Sequence, residues 1–202
     1  MFTGLVQAVG TVRSVETRDR SVRLVIDPGF WAYSASQGDS VAVNGCCLTA
    51  VRGAREAGGM LEFDAVPETM ARTTLGGLVV GSRVNLEHAA TASTLMGGHI
   101  VQGHIDAVGI VDCIDRSDGW RVGLCLPEEA MQCVVPKGSI TIEGVSLTVA
   151  AADPARRWFD VALIPTTLEK TTLAGLKVGD RCNIETDVMA RTIVHWLRVY
   201  GR

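Results

Sequence analysis

The chain holds 202 residues, 47% of them apolar and 20% charged, with a net charge of −3. That length suits one large or two small domains able to close a core without metal or disulfide staples. The slight acidity lacks the basic footprint that a nucleic-acid partner needs, so none is expected.

In chain order, the opening "MFTGLVQAVG" has neither the basic stretch nor the long apolar run of a signal peptide. No later window approaches the ~18 unbroken apolar residues of a membrane helix. A cytoplasmic location and no membrane contact are the expectation. The six cysteines, Cys46, Cys47, Cys113, Cys125, Cys133 and Cys182, show no C-x-x-C pair and no zinc spacing, which reads as free thiols in a reducing compartment.

The first strand candidates are "LVQAVGTVRSVE" and "SVRLVID". In "DSVAVNGCCLTAV", apolar Val41 and Val43 alternate, Asn44-Gly45 supplies the φ > 0 turn of a tight hairpin, and strand-like residues resume at Cys47, Thr49 and Val51. "MLEFDAVP" and "SRVNLEHA" follow. Between them "PETMARTTLGGL" reads as a short helical turn, with Pro in front, Thr able to cap and Gly after it.

The same elements then return. "GLVQAVGTV" (4–12) aligns with "GHIDAVGIV" (103–111) and "VNGCCLTAV" (43–51) with "IEGVSLTVA" (142–150), both at an offset of 99. After a one-residue adjustment "PETMARTTL" (67–75) meets "PTTLEKTTL" (165–173), and "GSRVNLE" (81–87) meets "GDRCNIE" (179–185). Across the four blocks 17 of 34 positions are identical, where unrelated sequence gives roughly two. The chain is a tandem duplication, with copies over 1–96 and 97–187 and a tail over 188–202; "AATASTLMGG" is the join. Five or six short strands per copy, with little helix, predict an all-β fold of two small closed antiparallel barrels, which removes exposed sheet edges.

In the tail, Val188, Met189, Thr192, Ile193, Trp196, Leu197 and Tyr200 recur at helical spacing as one apolar stripe. Such a stripe usually marks association, so an oligomer contact is favoured over packing on a barrel flank.

Cys47 and Ser146 stand at the same place in the two copies of one hairpin. If Leu48 and Leu147 point inward, Cys47, Thr49, Ser146 and Thr148 share the opposite face. Small residues tolerated on a tightly packed strand explain the pair equally well. A nucleophile needs an activating neighbour, and the candidate is His104 in "GGHIVQGHIDAVG", a titratable group where the first copy has Leu5. His99 and His104 are five apart, on opposite faces of an extended chain, which argues against a shared metal. Thr69, Thr167, Lys137, Glu185 and Asp187 complete the recurrent polar positions; helix capping, solvent exposure and helix N-terminal charge are their bland readings.

The set "MFTGLV", "NGCCLT", "PETMARTTLG", "GGHIVQGHID", "EGVSLTV", "IPTTLEKTTL" and "VGDRCNIETD" resembles riboflavin synthase of the alpha type, in order over practically the whole chain. The resemblance implies two six-stranded Greek-key barrels and a C-terminal helix that assembles a homotrimer. The implied reaction is dismutation of two 6,7-dimethyl-8-ribityllumazine molecules to riboflavin and the ribitylaminopyrimidinedione, without cofactor or metal. It further implies an active site between barrels of neighbouring subunits, and raises association with lumazine synthase as a partner. In the N-terminal barrel the family's ligand-binding positions fall on Gly4, Leu5 and Val6, on Cys47, Leu48 and Thr49, and on Asp64, Ala65, Val66, Pro67, Glu68 and Thr69. In the C-terminal barrel they fall on Gly103, His104 and Ile105, on Lys137, on Ser146, Leu147 and Thr148, and on Ile164, Pro165, Thr166, Thr167, Leu168 and Glu169. The catalytically implicated positions land on Cys47, His104, Ser146, Thr148 and Asp187, with Phe2 also matching. A non-catalytic lumazine- or flavin-binding relative and a ligand-free oligomerisation module are the alternatives.

Overall fold

The computed structural model describes residues 1–201. The first six strands are β1 (Ala8–Thr17), β2 (Val22–Asp27), β3 (Ser40–Val43), β4 (Cys46–Arg52), β5 (Leu61–Ala65) and β6 (Arg83–His88). They close in the ring order β1-β2-β5-β4-β3-β6, all neighbours antiparallel. A second set, β7 (Ala107–Asp115), β8 (Trp120–Cys125), β9 (Ser139–Ile142), β10 (Val145–Asp153), β11 (Trp158–Leu163) and β12 (Arg181–Thr186), repeats that ring. The step from second to third strand crosses the barrel in each copy, a Greek-key connection.

Closure follows from local chemistry. Register shifts fall at equivalent places, Val12/Ser14 in β1 and Val111/Cys113 in β7, where an extra residue bends the strand from one neighbour to the next. Apolar side chains alternate inward: Cys46, Leu48 and Ala50 are buried while Cys47 is half-buried and Thr49 exposed. Val145, Leu147 and Val149 repeat the pattern around Ser146 and Thr148. Each barrel has its own core, centred on Leu24, Ile26, Phe63 and Leu86 in the first and on Leu124, Ile142, Phe159 and Ile184 in the second. A small third cluster of Phe2, Ala42 and Val101 lies between them.

Helix α1 (Pro67–Arg72), the short α2 (Glu128–Met131) and α3 (Pro165–Lys170) complete the barrels. Thr69 and Thr167 do not cap α1 and α3: the N-caps are Val66 and Ile164, which offer no side-chain acceptor. Proline leaves one orphan N–H fewer to satisfy there. Capping falls instead to Thr73 and Thr171, whose hydroxyls accept from the N–H groups of Leu75 and Leu173 at the head of the following 3-10 turns.

The barrels meet along a buried polar seam with pseudo-twofold symmetry. Asn85 Nδ2 donates to the Glu143 carbonyl and Asn183 Nδ2 to the Asn44 carbonyl, each at 2.9 Å. The Asn85 and Asn183 carbonyl oxygens accept from the N–H groups of Thr172 and Thr74 at 2.8 and 2.7 Å. On the axis the two hairpin turns touch. Asn44 and Glu143 have φ of 46° and 50°, Gly45 and Gly144 both 78°, so both turns are of the expected type I′. A Cβ on Gly45 would sit 2.7 Å from the Gly144 nitrogen. Gly45→Ala is therefore expected to cost about 2–4 kcal/mol, read as a lower urea midpoint, by backbone strain plus a clash with main chain that cannot retreat.

Glu143 sits in that seam, accepting from the Asn183 N–H and the Thr74 hydroxyl. Burial pushes its carboxyl up to about 8 against those two hydrogen bonds. The folded chain thus prefers the protonated acid, so its stabilisation is complete below the unfolded carboxyl range and is lost as pH rises through about 8. Melting curves between pH 5 and 8 are expected to show a decline that Glu143→Gln flattens.

Helix α4 (Val188–Tyr200) turns its polar face to the second barrel: Arg191 bonds Asp106 and Gln102, and Arg198 bonds Gln132. Its apolar stripe faces outward, with Met189, Ile193, Trp196, Leu197 and Tyr200 each more than half exposed. Among the described residues no helix is long and apolar enough to cross a membrane.

Candidate active site

Two segments cross between the barrels. Residues 2–4, ahead of β1, and 99–103, ahead of β7, run antiparallel: Phe2 N–H donates to the Val101 carbonyl at 2.7 Å and Val101 N–H returns at 3.2 Å. Each then docks on the opposite barrel. The Gly4 carbonyl accepts from the Ser146 N–H, and the Gly103 carbonyl from the Cys47 N–H, both at 2.8 Å. Val6 packs on the second core and Ile105 on the first.

This exchanges the expected grouping. Gly4, Leu5 and Val6 belong with Ser146, not Cys47, while Gly103, His104 and Ile105 belong with Cys47, not Ser146. The reason lies in the strand edges. β4 pairs with β5 only from Ala50 onward, and β10 with β11 only from Val149 onward. Cys47 and Ser146 therefore stand on open edges whose N–H groups need an acceptor, and the crossing segments supply it. Only glycine fits at the two contacts: φ is +75° at Gly4 and +80° at Gly103, and an added Cβ would lie 2.6 Å from the Cβ of Ser146 and of Cys47 respectively.

Two buried glutamates hold the segments. Glu87 accepts from the Thr3 N–H at 2.6 Å, the Thr3 hydroxyl at 2.7 Å and the Gly4 N–H at 3.0 Å. Glu185 accepts from the N–H groups of Gln102 and Gly103 at 2.7 and 2.9 Å. Burial raises both carboxyls from their ordinary range, opposed by those N–H donors.

Around Ser146 the result is a cavity of about 270 Å³, lined by Gly4, Leu5, Val6, Val145, Ser146, Thr166, Thr167, Lys170 and Thr171. Ile164 and Pro165 lead into its wall at the start of α3. On the first barrel Ala65, Val66, Pro67, Glu68 and Thr69 are the counterparts, at the end of β5 and the start of α1. Asp64 is already engaged: Arg23 holds its carboxylate with bonds of 2.6 and 2.8 Å and lowers its pKa. Lys137 stands apart from the cavity, exposed at φ +66°, with its N–H on the Val149 carbonyl. A larger cavity of about 370 Å³ lies along the polar seam beside Asn44, Glu143 and Thr172, and no cysteine, serine or histidine lines it.

The histidine beside the nucleophile position is His99, not His104. His99 Nδ1 lies 2.7 Å from Ser146 Oγ, while Nε2 is buried without a partner among the described residues. Burial holds the imidazole below its ordinary range against an opposing pull from Asp187, so at neutral pH it is uncharged and suited to accept the Ser146 proton. Asp187 also caps α4, accepting from the Met189 N–H at 2.8 Å. His104 is exposed beside Gly103 on the first-barrel side and makes no hydrogen bond among the described residues. The doublet Gly97-Gly98 is the feature of the sequence that could have pointed to His99. A Cβ on Gly98 would fall 2.0 Å from the Thr3 carbonyl oxygen and 3.1 Å from Ser146 Oγ, so only glycine lets the chain pass over Ser146. Among the described residues no group of three potential ligands is placed to hold a metal ion.

Paired barrels, each lending its leading segment to the other's open edge, define a tandem-barrel protein with a cavity at Ser146. The family model described as "Lumazine binding domain" matches residues 3–89 and again 102–187. Riboflavin synthase of Mycobacterium tuberculosis (strain H37Rv) is 44% identical over the full length of both chains. That of Escherichia coli (strain K12) is 39% identical, covering 96% of this chain and 90% of the relative. Among solved structures, LumP complexed with riboflavin superposes with a TM-score of 0.79 at 28% identity, over 92% of this chain and 99% of that one. The chain belongs to the riboflavin synthase family.

Proposed function

We propose that the chain converts two molecules of 6,7-dimethyl-8-ribityllumazine into riboflavin and 5-amino-6-ribitylaminopyrimidinedione, transferring a four-carbon unit from one lumazine to the other. The observation that carries the reading is Ser146, at the wall of the second-barrel cavity, hydrogen-bonded to a buried, neutral His99, in a segment-on-edge arrangement that recurs with Cys47 in the serine's place on the other barrel. Two copies of one arrangement match two copies of one substrate, and holding them face to face supplies much of the rate by orientation. Proton loss from the 7-methyl of the donor lumazine is eased because its anion delocalises into the ring, so a nearby polar group suffices. On the acceptor, Ser146 Oγ adds to the ring carbon as its proton passes to His99 Nδ1, breaking the conjugation that opposes transfer. Cys47 and Thr148 shape the two cups, His104 borders the first, and Asp187 sets the charge around His99.

Neither a metal nor a cofactor has a role in this scheme. The first-barrel cup of one chain would face the second-barrel cup of its neighbour in a homotrimer, and the outward apolar face of α4 favours such assembly. A cytoplasmic setting fits the free thiols. The LumP likeness motivates the rival reading, a protein that binds lumazine or flavin without turning it over. The intact Ser146–His99 pair favours the enzyme. The test is riboflavin formation from the lumazine supplied alone to the purified chain; binding without yellow product selects the rival.

A further inference from the structure

The segment that closes on Cys47 is fixed twice, and its second fixing has no counterpart in the first copy. Glu185 holds the backbone at Gln102 and Gly103. The side chains on either side of Gly103, His104 and Ile105 are held as well: one guanidinium, that of Arg191 on α4, bonds both the Gln102 side-chain oxygen and the Asp106 carboxylate. Asp106 in turn accepts from the Thr186 N–H and hydroxyl at 2.8 and 2.7 Å through its other oxygen. In the first copy the matching residues are Thr3 and Gln7. Thr3 turns its hydroxyl onto Glu87, and the Gln7 side-chain oxygen accepts from the His88 N–H at 3.1 Å. No helix stands between β6 and β7, and among the described residues no arginine bridges the pair.

Resting on the proposed reaction, the geometry points to Arg191 as a positioning residue that couples the seating of α4 to the cup of the first barrel. A planar guanidinium fork reaches two acceptors at once, so it sets the span between Gln102 and Asp106 and with it the path of Gly103 past Cys47. The opposite face of α4 carries the exposed apolar stripe, so whatever covers that stripe also fixes where Arg191 stands. The helix thereby carries assembly to the Gly103 contact at Cys47, while the Gly4 contact at Ser146 is held by Glu87.

Arg191→Met keeps the apolar stem and removes the fork, without touching the outward stripe. Measured on the full chain, kcat for riboflavin formation is expected to fall roughly tenfold with the oligomer intact, the size of a modest loss of orientation. Amide exchange at Cys47, whose N–H bonds the Gly103 carbonyl, is expected to speed up about tenfold while that at Ser146 is unchanged. Arg191→Lys, a milder change should the methionine variant fold poorly, offers one point charge and should recover only part of either effect. Wild-type kcat together with wild-type exchange at Cys47 would overturn the coupling, as would activity lost only through dissociation with Cys47 exchange unaltered. If the unmodified chain makes no riboflavin, the functional reading fails while the exchange measurement still decides the coupling.

Discussion

Ser146→Ala is expected to lower kcat by about 100-fold or more while the thermal midpoint moves little, because a nucleophile and its base contribute on that scale. The hydroxyl lies on a strand face outside the second core, and among the described residues its one side-chain hydrogen bond is to His99. Its removal leaves the backbone bond to Gly4 in place. His99→Gln should cost a similar factor, and the double variant little more than either alone, since two residues acting as one unit do not add. The acid limb of kcat/KM should fall below the ordinary histidine range near ~6.5, because burial depresses the imidazole. Asp187 pulls the other way, so Asp187→Asn should move that limb to still lower pH. His104→Ala, on the other cup, is expected to lower turnover with the fold retained. Equal pH limbs in the parent and the Asp187→Asn variant would remove Asp187 from the account.

Deleting residues 188–202 is expected to give monomers that still fold and to lower turnover by more than ~100-fold, since in the proposed trimer the two lumazines meet between two chains. The barrels close without α4, whose polar bonds to them come from Arg191 and Arg198. What α4 turns outward is a stripe of Met189, Ile193, Trp196, Leu197 and Tyr200. Sedimentation reads the first expectation and turnover the second; a trimer that survives the truncation refutes the role of the helix.

Much of this architecture is legible in the sequence because a duplication prints it twice. Asn44-Gly45 and Glu143-Gly144 announce their turns, and strand alternation around Leu48 and Leu147 puts Cys47 and Ser146 outward, as found. Which barrel each leading segment serves is not legible. The exchange of Gly4 and Gly103 depends on β4 and β10 having unpaired first halves, a property of ring closure that no local pattern encodes. The choice of histidine goes the same way. The repeat alignment favours His104, a titratable group where the first copy has Leu5, but the chain passes over Ser146 at Gly97-Gly98, and His99 is the residue laid against it. Thr69 and Thr167 look like caps by type, yet proline at the helix start moves the need for a cap to the next turn, where Thr73 and Thr171 meet it.

The most direct measurement is the stoichiometry of conversion. Purified chain incubated with 6,7-dimethyl-8-ribityllumazine alone, with no metal and no second substrate, should consume two lumazines for each riboflavin that appears in the absorbance spectrum. Tight binding of the lumazine with no riboflavin formed, or riboflavin formed one for one, would contradict the account.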